Sequence, residues 1–167
     1  MGAFGGHEAI AGSTVTAAEE EFSAFVRASE LRLRQALAAR FGPDLAHDAA
    51  AEGLVHAWLH WDRVRTMENP IGYVYAVARS RGRSRRKAPR PDVAAPDRGM
   101  PDVEPGLLSA LGDLSERQRV AVLLVHGWGW THQEVAELMG VSASTVRNHL
   151  SRGLDSLRSR LGVRVDD

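Results

Sequence analysis

The chain has no cysteine, and Lys87 is its one lysine among 21 basic side chains. Without thiols there can be no disulfides, no thiolate zinc sites and no thiol catalysis, a composition that suits a reducing cytoplasm. Long hydrophobic runs are also missing. No window approaches the ~18 consecutive apolar residues that a spanning helix requires, so no membrane partner is expected. The opening "MGAFGGHEAIAGST" lacks the basic start and apolar run of a signal peptide. No segment alternates apolar and polar residues as a strand would. No nucleophile–base pair, phosphate loop or metal motif stands out, so neither an enzyme nor a cofactor is expected. Net charge is absent too: 21 basic side chains balance 21 acidic ones. Taken as an average, that argues against a polyanionic partner.

The average hides a division. Residues 1–70 are net negative and residues 101–167 slightly so, while residues 71–100 carry 8 basic and 2 acidic side chains. Such an island marks a local polyanion site. The apolar residues that are present recur at helical spacing. Residues 1–15, rich in Gly and Ala, are expected to be disordered. Thr16 with Glu19 reads as a capping box opening a first helix, with Phe22, Phe25, Val26, Leu33 and Leu37 on its apolar side. Gly42-Pro43 stops it. Asp44 is positioned to cap a second helix carrying Ala50, Leu54, Ala57, Trp58 and Trp61, and "DRVRTMEN" reads as a loop. Asn69-Pro70 caps a third, lined by Ile71, Val74, Tyr75 and Ala78 and running into "RSRGRSRRK". Five of the seven prolines then fall within residues 88–106, a composition typical of a linker. Residues 107–162 are helical again. The expectation is an all-α protein of two small, separately folded helical domains, 16–87 and 107–162, joined by a Pro-rich linker at 88–106 and followed by a tail at 163–167.

Within the second domain, "WTHQEVAELMG" opens on the capping-box pair Thr131 and Glu134 and closes at Gly140. A longer helix follows, capped by Ser142, with Val146, Leu150, Leu154, Leu157 and Leu161 on one seam. A short helix, a glycine turn and a long capped helix make a helix-turn-helix pattern. In that geometry the start of the second helix enters the major groove. Ser142, Ser144, Thr145, Arg147, Asn148, Ser151 and Arg152 then face DNA. Free backbone N–H groups at the helix start favour a phosphate, hydroxyls bond phosphate oxygens, and Arg and Asn can each bond a purine edge with two hydrogen bonds. The competing reading is an ordinary wet helix face. His126, Trp128, Trp130 and His132 read as an aromatic plug between helices.

Residues 114–161, with the opening Leu-Ser-x-x-Gln-Arg, the Glu-Val-Ala-x-x-Met-Gly and the Ser-Thr-Val-Arg, resemble region 4 of the sigma-70 family of bacterial transcription initiation factors. "STVRNHLSR" is also similar to the output helix of LuxR-type regulators. The first half separates the two. "DAAAEGLVHAW", residues 48–58, resembles the core of sigma region 2. "NPIGYVYAVARSRGRSRR", residues 69–86, resembles the helix that follows it in small, two-domain sigma factors of the extracytoplasmic-function type. The resemblance implies a promoter-binding protein whose partners are core RNA polymerase, promoter DNA and an anti-sigma factor, working in the bacterial cytoplasm at the nucleoid. It implies that region 4 reads the upstream promoter element. Region 2 would use one face for the polymerase and another to open the downstream element.

On that basis Asp48, Glu52 and His56 are candidate polymerase contacts, with His60 continuing their four-residue spacing. A solvated face and a two-His-one-carboxylate metal site are the other readings of the same row. One position departs from the family: Ala51 stands where a polar residue, often glutamine, is usual. The motif's next position, Gly53, is a poor helix former, so either a weaker polymerase contact or one carried by other residues is expected. Arg79, Arg83 and Arg86 share a side of the third helix and, with Tyr75, are candidates for melting downstream DNA, where phosphates are tracked and bases stack on rings. Tyr73 and Tyr75 read equally as core. The loop Asp62–Asn69 matches the place where the family captures a flipped base. Two rivals remain: a dimeric LuxR-like regulator on a palindromic site, and a sigma mimic that occupies a partner without starting transcription.

Overall fold

The computed structural model describes the backbone of residues 8–86 and 106–162, and the side chains of 16–82 and 106–162. Every regular element among the described residues is helical, as the periodicity predicted. Helix α1 spans Glu8–Phe41, α2 Pro43–Leu59, α3 Trp61–Val64 and α4 Pro70–Arg86. Helices α5 (Leu107–Gly112), α6 (Glu116–Val122), α7 (His132–Met139) and α8 (Ala143–Leu161) follow, with a π-helical turn over Leu123–Gly127 extending α6. The linker expected at 88–106 lies, up to residue 105, outside the described residues, as does the tail at 163–167.

Local chemistry accounts for most of these boundaries. Pro70 opens α4, and the Asn69 side chain accepts from the Gly72 backbone N–H at 2.8 Å. Ser115 and Gln118 form a complete capping box on α6, and Thr131 and Glu134 form one on α7, so two backbone N–H groups at each of those ends have a side-chain partner. Three expectations are corrected. Helix α1 begins at Glu8, so residues 8–15 are helical and Thr16 sits inside the helix rather than capping it. The cap of α2 is Gly42, at φ 88°, with Pro43 in the first helical position; Asp44 lies in the first turn. The loop expected from Asp62 begins with the single helical turn α3, held by Trp61 and Val64, which are both buried.

The N-terminal bundle packs α1 and α4 on α2, around Leu33, Leu37, Ala50, Ala57, Val64 and Val74. Gly53 is buried at the α2–α4 crossing, where a Cβ would stand 2.9 Å from Ala78 Cβ and 3.2 Å from the Val74 carbonyl oxygen. Its missing side chain is what allows the two helices to approach, so packing explains the residue that sequence reading treated as a weakness in the polymerase contact. The C-terminal bundle sets α8 across α6 and α7 on Val120, Leu124, Val135, Leu138, Val146 and Leu157.

The two bundles, expected as separately folded heads, pack against each other, and their buried apolar residues join in one cluster. The C-terminal half of α1 is the common wall. The Arg119 guanidinium donates to the carbonyls of Ala39 (3.2 Å) and Arg40 (3.1 Å) at the end of that helix, where a cation is favoured by the helix dipole. Arg40, itself buried, pairs with Glu116, and Arg32 pairs with Glu134. Trp130 is the plug anticipated from the aromatic run, but it lies between bundles. It is 7% exposed, its indole N–H donates to Gln35 Oε1 at 3.0 Å, and the Arg32 guanidinium lies 5.0 Å from its ring centroid. His126 and Trp128 are exposed, and His132 is half-buried.

Candidate nucleic-acid interface

The helix-turn-helix is built by α7, the turn at Gly140 and α8. Gly140 takes φ 65°, a left-handed conformation that suits glycine. Ser142 caps α8, its hydroxyl accepting from the Thr145 backbone N–H at 3.2 Å. The same oxygen lies 2.8 Å from the hydroxyls of Ser144 and Thr145. Three hydroxyls therefore cluster at the positive end of a 19-residue helix. Behind them Val146, Leu150 and Leu157 are buried, while Leu154 and Leu161 are only half-buried. Each fully buried aliphatic side chain contributes ~1.5–3 kcal/mol, enough to hold α8 on its domain with its other face outward.

That outward face carries the residues expected there. Ser142, Ser144, Arg147, Asn148, Ser151 and Arg152 are exposed, and Thr145 is half-buried. His149, which sequence reading passed over, lies half-buried beside them with Nε2 enclosed and without a hydrogen-bond partner. Burial first, then Arg117 and Arg152, pushes its pKa below the ordinary imidazole value. Burial and the two arginines thus disfavour a positive charge on its ring.

The second candidate surface is on α2 and α4. Asp48, Glu52, His56 and His60 follow one another along α2, with Asp48 and His60 exposed and Glu52 and His56 half-buried. The row is not simply solvated, because His56 turns toward α4. Arg81 Nη2 lies 3.2 Å from His56 Nδ1, and Tyr73 Oη lies 3.2 Å from its Nε2. A guanidinium can only donate, so Nδ1 accepts and the ring proton sits on Nε2, donating to Tyr73. Burial, the neighbouring His60 and Arg81 lower the His56 pKa, in keeping with this neutral tautomer. Among the described residues, no group of three or more His, Asp or Glu side chains is placed to hold a metal ion.

Tyr75 needs correction. It is 3% exposed, and burial raises its pKa despite Arg40 and Arg79. It is a core residue and offers no ring to an unstacked base. Its neighbour Tyr73 is half-buried, with its hydroxyl against His56. Arg79 is half-buried, with its guanidinium 6.0 Å from the Tyr75 ring centroid. The side chains of Arg83 and Arg86 lie outside those described, though α4 runs through both positions.

Comparison with known proteins agrees with this architecture. The family model described as sigma-70, region 4 matches residues 106–157, the stretch holding every residue of the α8 face. Among curated proteins, RNA polymerase sigma factor CarQ of Myxococcus xanthus is 38% identical over 79 residues, which are 47% of this chain and 45% of CarQ. The chain thus spans about half the length of that relative. Among solved structures, the sigma factor RpoE of Bartonella quintana, crystallised with the anti-sigma factor NepR, matches at a TM-score of 0.61 and 21% identity, covering 87% of this chain and 99% of that one. The C-terminal bundle is thus the part of the chain that is similar to sigma-70 region 4. The fold shared with the Bartonella structure covers 87% of this chain, so it takes in the N-terminal bundle as well.

Proposed function

We propose that the chain is a sigma factor that binds core RNA polymerase, selects promoters and helps to open them, with no catalytic chemistry of its own. The observation that carries this reading is the α8 face. Arg147, Asn148, Ser151 and Arg152 stand exposed above a buried seam, directly behind a helix start capped by Ser142. On a region 4 domain this is the surface that would lie in the major groove of the upstream element, with Arg147 and Asn148 reaching base edges and the hydroxyls of Ser142, Ser144, Thr145 and Ser151 reaching phosphates. Arg152 would add a further phosphate contact.

Downstream, the basic side of α4 with Arg79, Arg83 and Arg86 would track the phosphates of the opening strands. Asp48, Glu52 and His56 would face the polymerase. Two modest DNA modules carried on one polymerase gain affinity through effective concentration, so one chain needs neither a dimer partner nor a palindrome. An anti-sigma factor, as bound by the Bartonella protein, would be the partner that withholds the chain from polymerase. The place of action would be the bacterial cytoplasm, at the nucleoid.

Reconstituted transcription tests this. Core polymerase plus the chain should yield run-off transcripts that neither gives alone, and Arg147→Ala should weaken them. Tight binding of the free chain as a dimer to a two-fold symmetric site would favour the LuxR-like reading. Copurification with an anti-sigma factor but not with core polymerase would favour the sigma mimic.

A further inference from the structure

Arg81 belongs to the basic island, yet it stands apart from the arginines that share a side of α4. Two residues separate it from Arg79 and two from Arg83, and two residues are about 200° of turn on a helix of 3.6 residues per turn. Its guanidinium leaves the side that would track phosphates and crosses to α2, where Nη2 lies 3.2 Å from His56 Nδ1.

His56 is itself held. Its Nε2–H donates to Tyr73 Oη at 3.2 Å, and its ring centroid lies 4.3 Å from that of His60. His60 is fixed by its own Nδ1–H, which donates to the His56 carbonyl at 2.9 Å. With both ring nitrogens engaged, the His56 side chain has no polar atom left for a partner. Arg81 does. It is exposed, and a guanidinium carries five N–H groups, of which His56 takes one.

We propose that Arg81 is a further residue of the α2 surface, presenting its guanidinium to a carboxylate on core RNA polymerase, and that His56 is the positioning residue that holds it there while the imidazole is neutral. This rests on the reading of the row Asp48, Glu52 and His56 as the polymerase-facing side. His56 thereby serves that side as a support rather than as a contact. Asp48 and Glu52 are acidic, so Arg81 is the position beside this row that calls for an acid. The planar fork of arginine matches a carboxylate with two parallel bonds.

The hold depends on a proton. Arg81 and Tyr73 face His56 from α4, with His60 one turn on and Glu52 one turn back along α2. Helix α1 packs on another flank of α2, where Phe22 meets Trp58. A protonated imidazole carries N–H on both nitrogens. Nδ1 would then turn a donor toward a donor and bring two positive groups within 3.2 Å, so Arg81 must leave. Burial, His60 and Arg81 lower the pKa of the ring. The neutral, holding form therefore prevails at pH 7 and above, and the hold is lost as pH falls below about 6.5.

Retention of the full chain on immobilised core polymerase, without DNA, tests this together with NMR titration of the histidine rings in the free chain. At pH 8, Arg81→Ala should weaken retention roughly two- to fivefold, the range of one exposed ion pair. His56→Ala should lose as much, and the two substitutions together no more than either alone. His56→Asn, whose amide oxygen accepts from Arg81 but does not titrate, should recover most of that loss. Parent retention should fall between pH 8 and pH 6, and Arg81→Ala should flatten that profile. In the free chain, with helicity intact by circular dichroism, Arg81→Ala should raise the titration midpoint of His56, because the opposing cation is gone. A parent chain that polymerase does not retain at any pH refutes the sigma-factor reading, and this inference with it. Retention that ignores Arg81→Ala overturns the inference and leaves that reading standing. So does a His56 midpoint that Arg81→Ala leaves unmoved, which would show that the ring does not hold the guanidinium.

Discussion

Replacing Gly53 by alanine pits two effects of known size against each other. Alanine in a helix interior is favoured over glycine by ~1 kcal/mol, so on propensity alone Gly53→Ala stabilises. The crossing of α2 and α4 opposes it. The new methyl would lie 2.9 Å from Ala78 Cβ, 3.2 Å from Val74 Cγ1 and 3.2 Å from the Val74 carbonyl oxygen. Neither neighbour has slack, since Val74 is 1% exposed and Ala78 fully buried, and the carbonyl belongs to helix backbone. Overpacking of this kind costs ~1–3 kcal/mol. Crowding outweighs propensity, with a net loss of up to ~2 kcal/mol once the ~1 kcal/mol gained from alanine is subtracted. Urea unfolding should show a lower midpoint at unchanged slope. Ala51→Gly, two residues away on the exposed side of α2, should also destabilise, by ~1 kcal/mol from propensity alone. If Gly53→Ala instead raised the midpoint, the helices would not approach as closely as described, and the packing account of Gly53 would be wrong.

Ser142→Ala removes the α8 cap and should cost ~1 kcal/mol in stability, read by thermal unfolding; a change near zero would mean that the neighbouring hydroxyls take over the cap. His56 and His149 are both held below the ordinary imidazole pKa, chiefly by burial. The unfolded chain therefore binds more protons once pH falls below about 6.5, and the melting temperature should drop between about pH 7.5 and pH 5.5. A flat profile over that window would contradict the burial of both rings. Ala51→Gln, at an exposed position, should leave stability within ~0.5 kcal/mol of the parent and increase retention on immobilised core polymerase; unchanged retention would show that residue 51 is not part of that contact.

Elements marked by strong local chemistry could be read from the sequence. Thr131 and Ser142 cap where their side chains predicted, Pro70 opens α4, and Gly140 turns the chain left-handed, a conformation that a residue without Cβ takes at little cost. Thr16 and Glu19 look like a cap, but α1 begins at Glu8 and runs through them, although Gly12, Ser13, Thr14 and Val15 before them are poor helix formers. Period could not assign the tyrosines, since Tyr73 and Tyr75 sit near the edge of the apolar face of α4, and only the position of Arg40 and α1 buries the second. Gly53 misled for a similar reason, because a residue that is costly inside one helix is required where two helices cross. Least legible was the contact between bundles. Arg32, Gln35 and Arg40 on α1 are far in sequence from their partners Glu134, Trp130 and Glu116, and net charge gives no hint of their pairing.

The most direct test of the account is to transcribe a library of randomised promoters with core polymerase plus this chain and to sequence the templates that yield RNA. The expected result is two separate, dissimilar sequence blocks at a fixed spacing, with Arg147→Ala relaxing one position of the upstream block by ~1–3 kcal/mol and leaving the downstream block unchanged. A single palindromic block, or no enrichment above core polymerase alone, would contradict it.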